Sequence, residues 1–290
     1  MASKRVVVAG GNGFLGSRIC KSAANRGWSV TSLRRHSRSG EPRWDTVTSS
    51  HDRPTWANSV EWAKADLLKP DTYKPFLRDA DVVVHSMGIL LEADYKGVVR
   101  GKEPVVSGLQ RAFSSSKLGS QNPLTMRDGE RLEPKERDGQ LTYEIMNRDS
   151  AIALAKESTR EHVSTFVYIS AASGAPMLPS RYITTKREAE TTIASEFPEL
   201  RSIFIRPPFM YDSSRKFTLP IALGGFVASQ FNALLGDRLR FLGAMVDKPF
   251  RVDLVGEAVV EAMEDESIQG AVGTKQIENL ATKAWRKSML

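Results

Sequence analysis

Cysteine is almost missing from this 290-residue chain, and the single one, Cys20, excludes a disulfide framework and any cysteine-built metal cluster. No Gly-Lys-Ser/Thr follows the glycine-rich segment near the start, so a mononucleotide P-loop is excluded as well. Ahead of those glycines the apolar run is three valines, Val6 to Val8, too short for a secretory signal. It leaves no room for a cleavable presequence before the first expected strand. Entry into an organelle would then need an internal signal or a leader already removed. Acidic charge is in deficit, with 34 Asp and Glu against 41 Lys and Arg, a formal net charge of +7 and a pI near 9.5. The cations are scattered, with a modest concentration at Arg18, Lys21, Arg26, Arg34, Arg35, Arg38 and Arg43. No nucleic-acid-binding motif accompanies them, so nucleic acid is not expected as a partner. An anionic cofactor, an anionic membrane surface or a basic organellar protein accounts for the excess as well.

What is present begins at Lys4. Three valines and an alanine read as a buried strand, and Gly10, Gly13 and Gly16 follow at intervals of three before a helical run. Gly10 and Gly11 let the chain turn off the strand, Gly13 permits close approach of a pyrophosphate, and Gly16 lets the helix pack closely. The loop Gly10-Gly11-Asn12-Gly13-Phe14-Leu15-Gly16 is therefore a candidate cofactor cradle at a helix N-terminus. The helix is expected to end at Gly27, and Trp28 to Leu33 to form a second strand. At its end stand Arg34 and Arg35, where an NAD-specific unit usually places an acid for the ribose hydroxyls. Arginine there attracts a 2'-phosphate, so the position favours NADP(H) over NAD(H), with solvent-facing arginines as the plain alternative.

Residues 36 to 58 read as a loop with a short helix. Val60 to Ala65 forms a third strand ending at Asp66 and Leu67, with Asp66 either at the adenine edge or capping the turn before Pro70. A helix near Thr72 to Leu77 leads to a fourth strand, Asp81 to His85, and then to Ser86, Met87 and Gly88 beneath the cofactor. His85, ending an apolar strand, reads as a packing residue. From about 97 to 140 the chain is polar and aperiodic, as expected of a lid or binding loop beside the cofactor mouth, poorly ordered when empty. Leu141 to Ala155 is a helix bearing Asn147, and Val163 to Ser170 is the fifth strand.

Tyr182 and Lys186 lie four apart on the next helix and share a face. An ammonium beside a phenol favours the phenolate and lowers its pKa. Ser170, twelve residues upstream of Tyr182, is placed to hold a substrate oxygen while Tyr182 moves the proton. A nicotinamide nearby would carry the hydride.

Together these segments resemble the extended, partly atypical branch of the short-chain dehydrogenase/reductase superfamily, over nearly the whole chain. The resemblance implies a Rossmann-like, doubly wound α/β parallel sheet over residues 1–205 and a small, mostly helical lobe over 206–290. It implies a catalytic set of Asn147, Ser170, Tyr182 and Lys186. It adds Arg206, Pro207 and Pro208 as the turn into the second lobe, with Phe209 and Met210 facing the cofactor or substrate, and Phe250 to Val255 as the return to the core. His85 to Glu92, Thr142 to Asn147, Tyr168 to Ala171 and Tyr182 to Glu190 are similar, more narrowly, to a fungal mitochondrial branch. That branch accompanies coenzyme Q (ubiquinone) biosynthesis and is related to the dehydrogenase-like accessory subunit of respiratory complex I. This implies a matrix-side position on the mitochondrial inner membrane, partners in the ubiquinone biosynthetic complex, and access to a quinone or polyprenylated lipid. No metal is implied.

Phe217 to Gly236 contains no charged residue. Its length would cross a bilayer, but two glycines together with serine, glutamine and asparagine make it a poor span. Core packing is the first expectation, membrane or partner contact the second. Val252 to Glu264 reads as a helix, Ala271-Val272 as a short strand, and a last helix contains Trp285.

Overall fold

The computed structural model describes residues 3–35, 41–42, 44–48, 50–88, 118–136, 141–174, 179–213, 223 and 248–289. The valine run forms β1 (Arg5–Ala9), whose last four residues are buried. It pairs in parallel with β2 (Ser29–Arg34) on one side and β4 (Val82–His85) on the other. Adding β3 (Val60–Lys64), β5 (Thr165–Ile169), β6 (Arg201–Ile205) and β9 (Gly270–Val272) gives a seven-stranded sheet of order β3-β2-β1-β4-β5-β6-β9. Every pairing in it is parallel, which requires apolar residues on both faces. The order reverses between β1 and β4, where open α/β sheets leave a crevice at the strand ends.

One face is covered by α1 (Gly16–Asn25), α5 (Val252–Glu264) and α6 (Thr274–Ser288), packed on Val6, Val8, Val82, Val84 and Ile203. The other carries α2 (Lys74–Leu77), α3 (Ser150–Arg160) and α4 (Ser180–Glu196), packed on Val7, Ala9, Val83 and Phe166. A separate parallel pair joins β7 (Met210–Tyr211) to β8 (Phe250–Arg251), and from there the chain returns to the main sheet through α5 and β9.

Strands β1 to β5 and β9 fall within a residue or two of where the sequence places them, whereas the short pair β7 and β8 was not singled out. Gly27 turns the chain out of α1 with φ of +73°. The 36–58 stretch contains two short helical turns, Trp44–Thr46 and Thr55–Ser59. Trp44, Trp56 and Trp62 pack against one another there, with ring centroids 5.6 to 6.3 Å apart.

Two expectations change. Residues 118–136, expected to be a poorly ordered lid, are fixed to the body. Met126 and Leu132 are buried with Leu68, Ile145 and Met146, and Leu132 N–H donates to Leu68 C=O. Lys156 donates to the carbonyls of Pro123, Leu124 and Met126 at 3.3, 2.8 and 2.7 Å, and Ser120 donates twice to the buried Asp149 carboxylate. The rest of the 97–140 stretch lies outside the described residues, as does 217–236 apart from Leu223. The helix bearing Asn147 is also not uniform, because Glu144–Asp149 is a π turn before α3 begins.

Candidate functional site

The glycine loop crosses the top of β1 and uses its own backbone to hold shape. Gly10, Gly11 and Gly13 donate to Leu33, Val8 and Gly10 carbonyls at 3.0, 3.1 and 2.8 Å. Gly10 adopts φ of +82°, and a Cβ on it would stand 2.8 Å from Met87 Cγ. A Cβ on Gly16 would collide with the Gly10 carbonyl oxygen, so the start of α1 closes onto the loop only with glycine there. No side chain caps α1, and its positive end faces the crevice side of the sheet. Leu15 is buried in the core beneath, whereas Asn12, Gly13 and Phe14 stay partly exposed. Side chains at Gly10 or Gly16 would not fit this turn.

Across the crevice, Ser86 N–H donates to Ala9 C=O, which sets Met87 and Gly88 beside the loop. A Cβ on Gly88 would come 3.1 Å from Asn147 Oδ1 and 3.7 Å from Lys186 Nζ. Asn147 is fully buried on the π turn, anchored because Tyr168 Oη donates to its backbone carbonyl at 2.6 Å. π turns occur often at functional sites, since they re-aim one side chain without ending the helix. Lys186 Nζ donates to Ile169 C=O at 2.9 Å and lies 5.2 and 5.7 Å from the Tyr168 and Tyr182 ring centroids. Tyr182 meets Tyr143 edge-on at 5.7 Å, and Arg181 pairs with Glu144, so α4 is tied to the π turn by rings and charges. The structure thus brings Asn147 and Lys186 to Gly88, with the Tyr182 ring beside the Lys186 ammonium.

Burial governs the charges here. It lowers the Lys186 pKa to about 7, with Glu190 opposing and Arg187 adding to the shift. Tyr182 is raised to about 12, again by burial, with Arg187 only partly opposing. The expectation that Lys186 would draw the phenol pKa down therefore does not hold in this structure. Desolvation outweighs the opposing Arg187 charge, and burial also disfavours the charged form of Lys186. His85 is lowered to about 3 by burial, then by Lys186, and its Nε2 lies 2.9 Å from Ser150 Oγ. It is the packing residue its position implies.

Ser170 directly follows β5, but its hydroxyl does not turn freely towards Tyr182. Arg187 Nη1 donates to Ser170 Oγ at 2.9 Å, and Nη2 donates to the Ala171 and Ala172 carbonyls at 2.7 and 3.0 Å. Glu190, buried, accepts from Arg187 at 2.7 Å and pairs with Arg206 as well. Arg206 is thereby committed to this triad, while Pro207 C=O accepts from Ala172 N–H and Phe209 C=O from Phe250 N–H. The Arg187–Glu190–Arg206 triad was not singled out from the sequence. The three-residue spacing of Arg187 and Glu190 was its one visible sign.

The remaining predicted positions lie elsewhere along the crevice. Arg34 Nη1 donates to Glu41 C=O at 2.9 Å, one of the five donors its guanidinium offers. Arg35 follows directly after β2. Asp66 Oδ1 accepts from Leu68 N–H at 3.1 Å, a turn-capping bond, and Leu67 is buried among Val7, Ala9 and Tyr73. Cys20 is buried below the loop, where burial pushes its thiol pKa upward and leaves it unreactive. Among the described residues no group of three His, Cys, Asp or Glu could hold a metal ion.

A profile of the NAD dependent epimerase/dehydratase family matches residues 6–94, the N-terminal segment that contains the glycine loop. MIOREX complex component 2 of Saccharomyces cerevisiae is 32% identical, the match covering 94% of this chain and 98% of the yeast protein. An uncharacterized chloroplastic protein of Arabidopsis thaliana is 25% identical over 97% of this chain and 78% of its own. Two solved structures share the fold at low identity. UDP-N-acetylglucosamine 4-epimerase from Bacillus cereus has a TM-score of 0.52 and 16% identity, covering 96% of this chain and 84% of that one. Vestitone reductase from alfalfa (Medicago sativa) has a TM-score of 0.52 and 16% identity, covering 93% and 76%. The chain belongs to the same family as yeast MIOREX complex component 2, within the epimerase/dehydratase, extended short-chain dehydrogenase/reductase superfamily.

Proposed function

We propose that this protein binds NADP(H) and acts as an oxidoreductase on a carbonyl or quinone-type intermediate of mitochondrial ubiquinone biosynthesis, on the matrix side of the inner membrane. The observation that carries the redox part is the convergence of Asn147 and Lys186 on Gly88, with the Tyr182 ring 5.7 Å from the Lys186 ammonium, opposite a glycine loop whose Gly16 packs against Gly10. The cofactor, when bound, supplies the hydride. The loop and the start of α1 would hold its pyrophosphate, and Arg34 and Arg35 a 2'-phosphate. Ser170, whose oxygen already accepts from Arg187, keeps its own proton to donate to a substrate oxygen. Tyr182 then delivers a proton, and Lys186, with a pKa of about 7, is poised to resupply it near neutral pH. The ubiquinone setting is supported by the resemblance of the segments around His85, Asn147 and Tyr182 to the fungal branch, and a place in a complex by the yeast relative's name.

A second reading, a cofactor-stabilised assembly or regulatory subunit of the ubiquinone biosynthetic complex, is favoured by one observation. Tyr182 is held as a neutral phenol, its pKa pushed up to about 12, which suits a structural ring better than a ready acid. Titration of purified, cofactor-free protein with NADPH, NADP, NADH and NAD tests the cofactor. Phosphate-selective binding that weakens in Arg34→Ala supports the proposal, and no binding of any dinucleotide by folded protein overturns it. Tyr182→Phe then separates the two readings: lost ubiquinone output indicates turnover, and unchanged output indicates the assembly role.

A further inference from the structure

The last described helix, α6, turns Ile277, Leu280, Ala281 and Ala284 inward. The opposite flank of its final turns presents Trp285 and Met289, 57% and 68% exposed and four residues apart. The neighbouring lysines are mostly neutralised. Lys283 pairs with Glu261 and Asp265 at 3.3 and 2.7 Å, and Lys287 with Glu261 and Glu264 at 2.7 and 2.9 Å. Glu278, the one acid of α6, pairs with Lys248 at 2.8 Å. Arg286 and Lys275 remain, exposed and with no acid partner among the described residues. A hollow of about 420 Å³ opens beside Arg286, lined also by Asn279, Thr282, Lys283 and Lys287.

We propose that this outer face of α6 is a docking surface for an anionic lipid bilayer. Trp285 and Met289 would enter the interfacial zone, and Arg286 and Lys275 would meet headgroup phosphates. Charge selects the occupant: among the described residues the face bears two uncompensated cations and no uncompensated acid, on a chain of net charge +7. Its aromatic residue is tryptophan, whose apolar body and N–H suit the headgroup level of a membrane. A nucleic-acid strand is disfavoured, since single-strand sites stack successive bases on several aromatic rings along a groove, and here one ring stands beside a thioether. Among the described residues no helix is long and apolar enough to cross a membrane.

The test is co-sedimentation of the full chain with phosphatidylcholine vesicles, either pure or containing roughly a third phosphatidylglycerol, across a salt series. Binding to the anionic vesicles alone, declining as salt rises, is expected. Arg286→Glu removes one favourable charge and adds an unfavourable one, so the partition should fall roughly 25-fold, at about fivefold per charge. Trp285→Ala should weaken binding independently of salt. Circular dichroism confirms that both variants fold. Binding of both variants like the wild type, equal binding to pure phosphatidylcholine, or no vesicle binding alongside capture of an RNA oligonucleotide would overturn the proposal. Dinucleotide affinity of the same preparations should not change, which keeps failure of this contact distinct from failure of the redox reading.

Discussion

Replacing Lys186 with methionine tests whether burial rather than a partner charge sets the electrostatics of the site. Lys186 is 4% exposed, and the bond its ammonium makes is to the neutral Ile169 carbonyl. Its pKa drops from 10.5 to about 7. At about 1.36 kcal/mol per pH unit, that gap is worth up to about 5 kcal/mol against the folded state. The unfolded lysine takes up its proton near 10.5 and the folded one only near 7. As pH falls between those values the unfolded state gains, below about 7 the penalty is constant, and above 10.5 it vanishes. Methionine has similar length and no charge, at a cost of about 1 kcal/mol for the donor lost to Ile169. Lys186→Met should therefore be more stable than the wild type by about 2 to 4 kcal/mol near pH 6, and by about 1 kcal/mol or less near pH 9. Urea unfolding of both cofactor-free proteins across that range measures the difference directly. A difference that does not change with pH, or a variant less stable throughout, would refute the argument, because a packing effect has no reason to follow lysine titration.

Gly16→Ala should abolish dinucleotide binding and destabilise the fold by about 1 to 3 kcal/mol, as its Cβ collides with the Gly10 carbonyl; calorimetric titration and thermal unfolding read the two effects. Glu190→Gln leaves Arg187 and Arg206 facing each other without their shared carboxylate, and should cost about 3 kcal/mol or more in urea unfolding. Lys156→Met removes the donor to three carbonyls of the 123–126 segment, and should cost about 2 kcal/mol and raise amide exchange selectively across 118–136.

The backbone plan was legible because a parallel sheet buried on both faces demands continuous apolar strands. Val6 to Val8, Val82 to Val84 and Phe166 to Ile169 announce themselves without any partner in view. The glycine loop was legible for the opposite reason, since side chains are excluded there. The candidate site was only half visible. Asn147, Tyr182 and Lys186 could be named from spacing, but spacing gives adjacency and not depth, so the direction of the Tyr182 pKa was misjudged. Arg187, Glu190 and Arg206 are joined across sixteen residues of sequence between Glu190 and Arg206, and such a link leaves no local pattern. The fixing of residues 118–136 rests likewise on Lys156 and Asp149, two charged residues of a helix that nothing in their own neighbourhood distinguishes.

The π turn at Glu144–Asp149 also determines how this region can change in length. Ser150 N–H reaches back five residues to Ile145 C=O, so the spiral carries one residue more than a regular helix would. At its start, Tyr143 and Glu144 are aligned with Tyr182 and Arg181; residues after it, from Ser150 on, are aligned with His85. Because the extra residue is taken up within the turn, deleting one residue between 144 and 149 would restore the ordinary pitch and leave the flanking segments close to their present alignment, while changing the aim of Asn147 inside the turn. A single-residue deletion here would thus act on the asparagine more than on the scaffold, and sequences with a gap at this point should not be expected to present their asparagine to the same place.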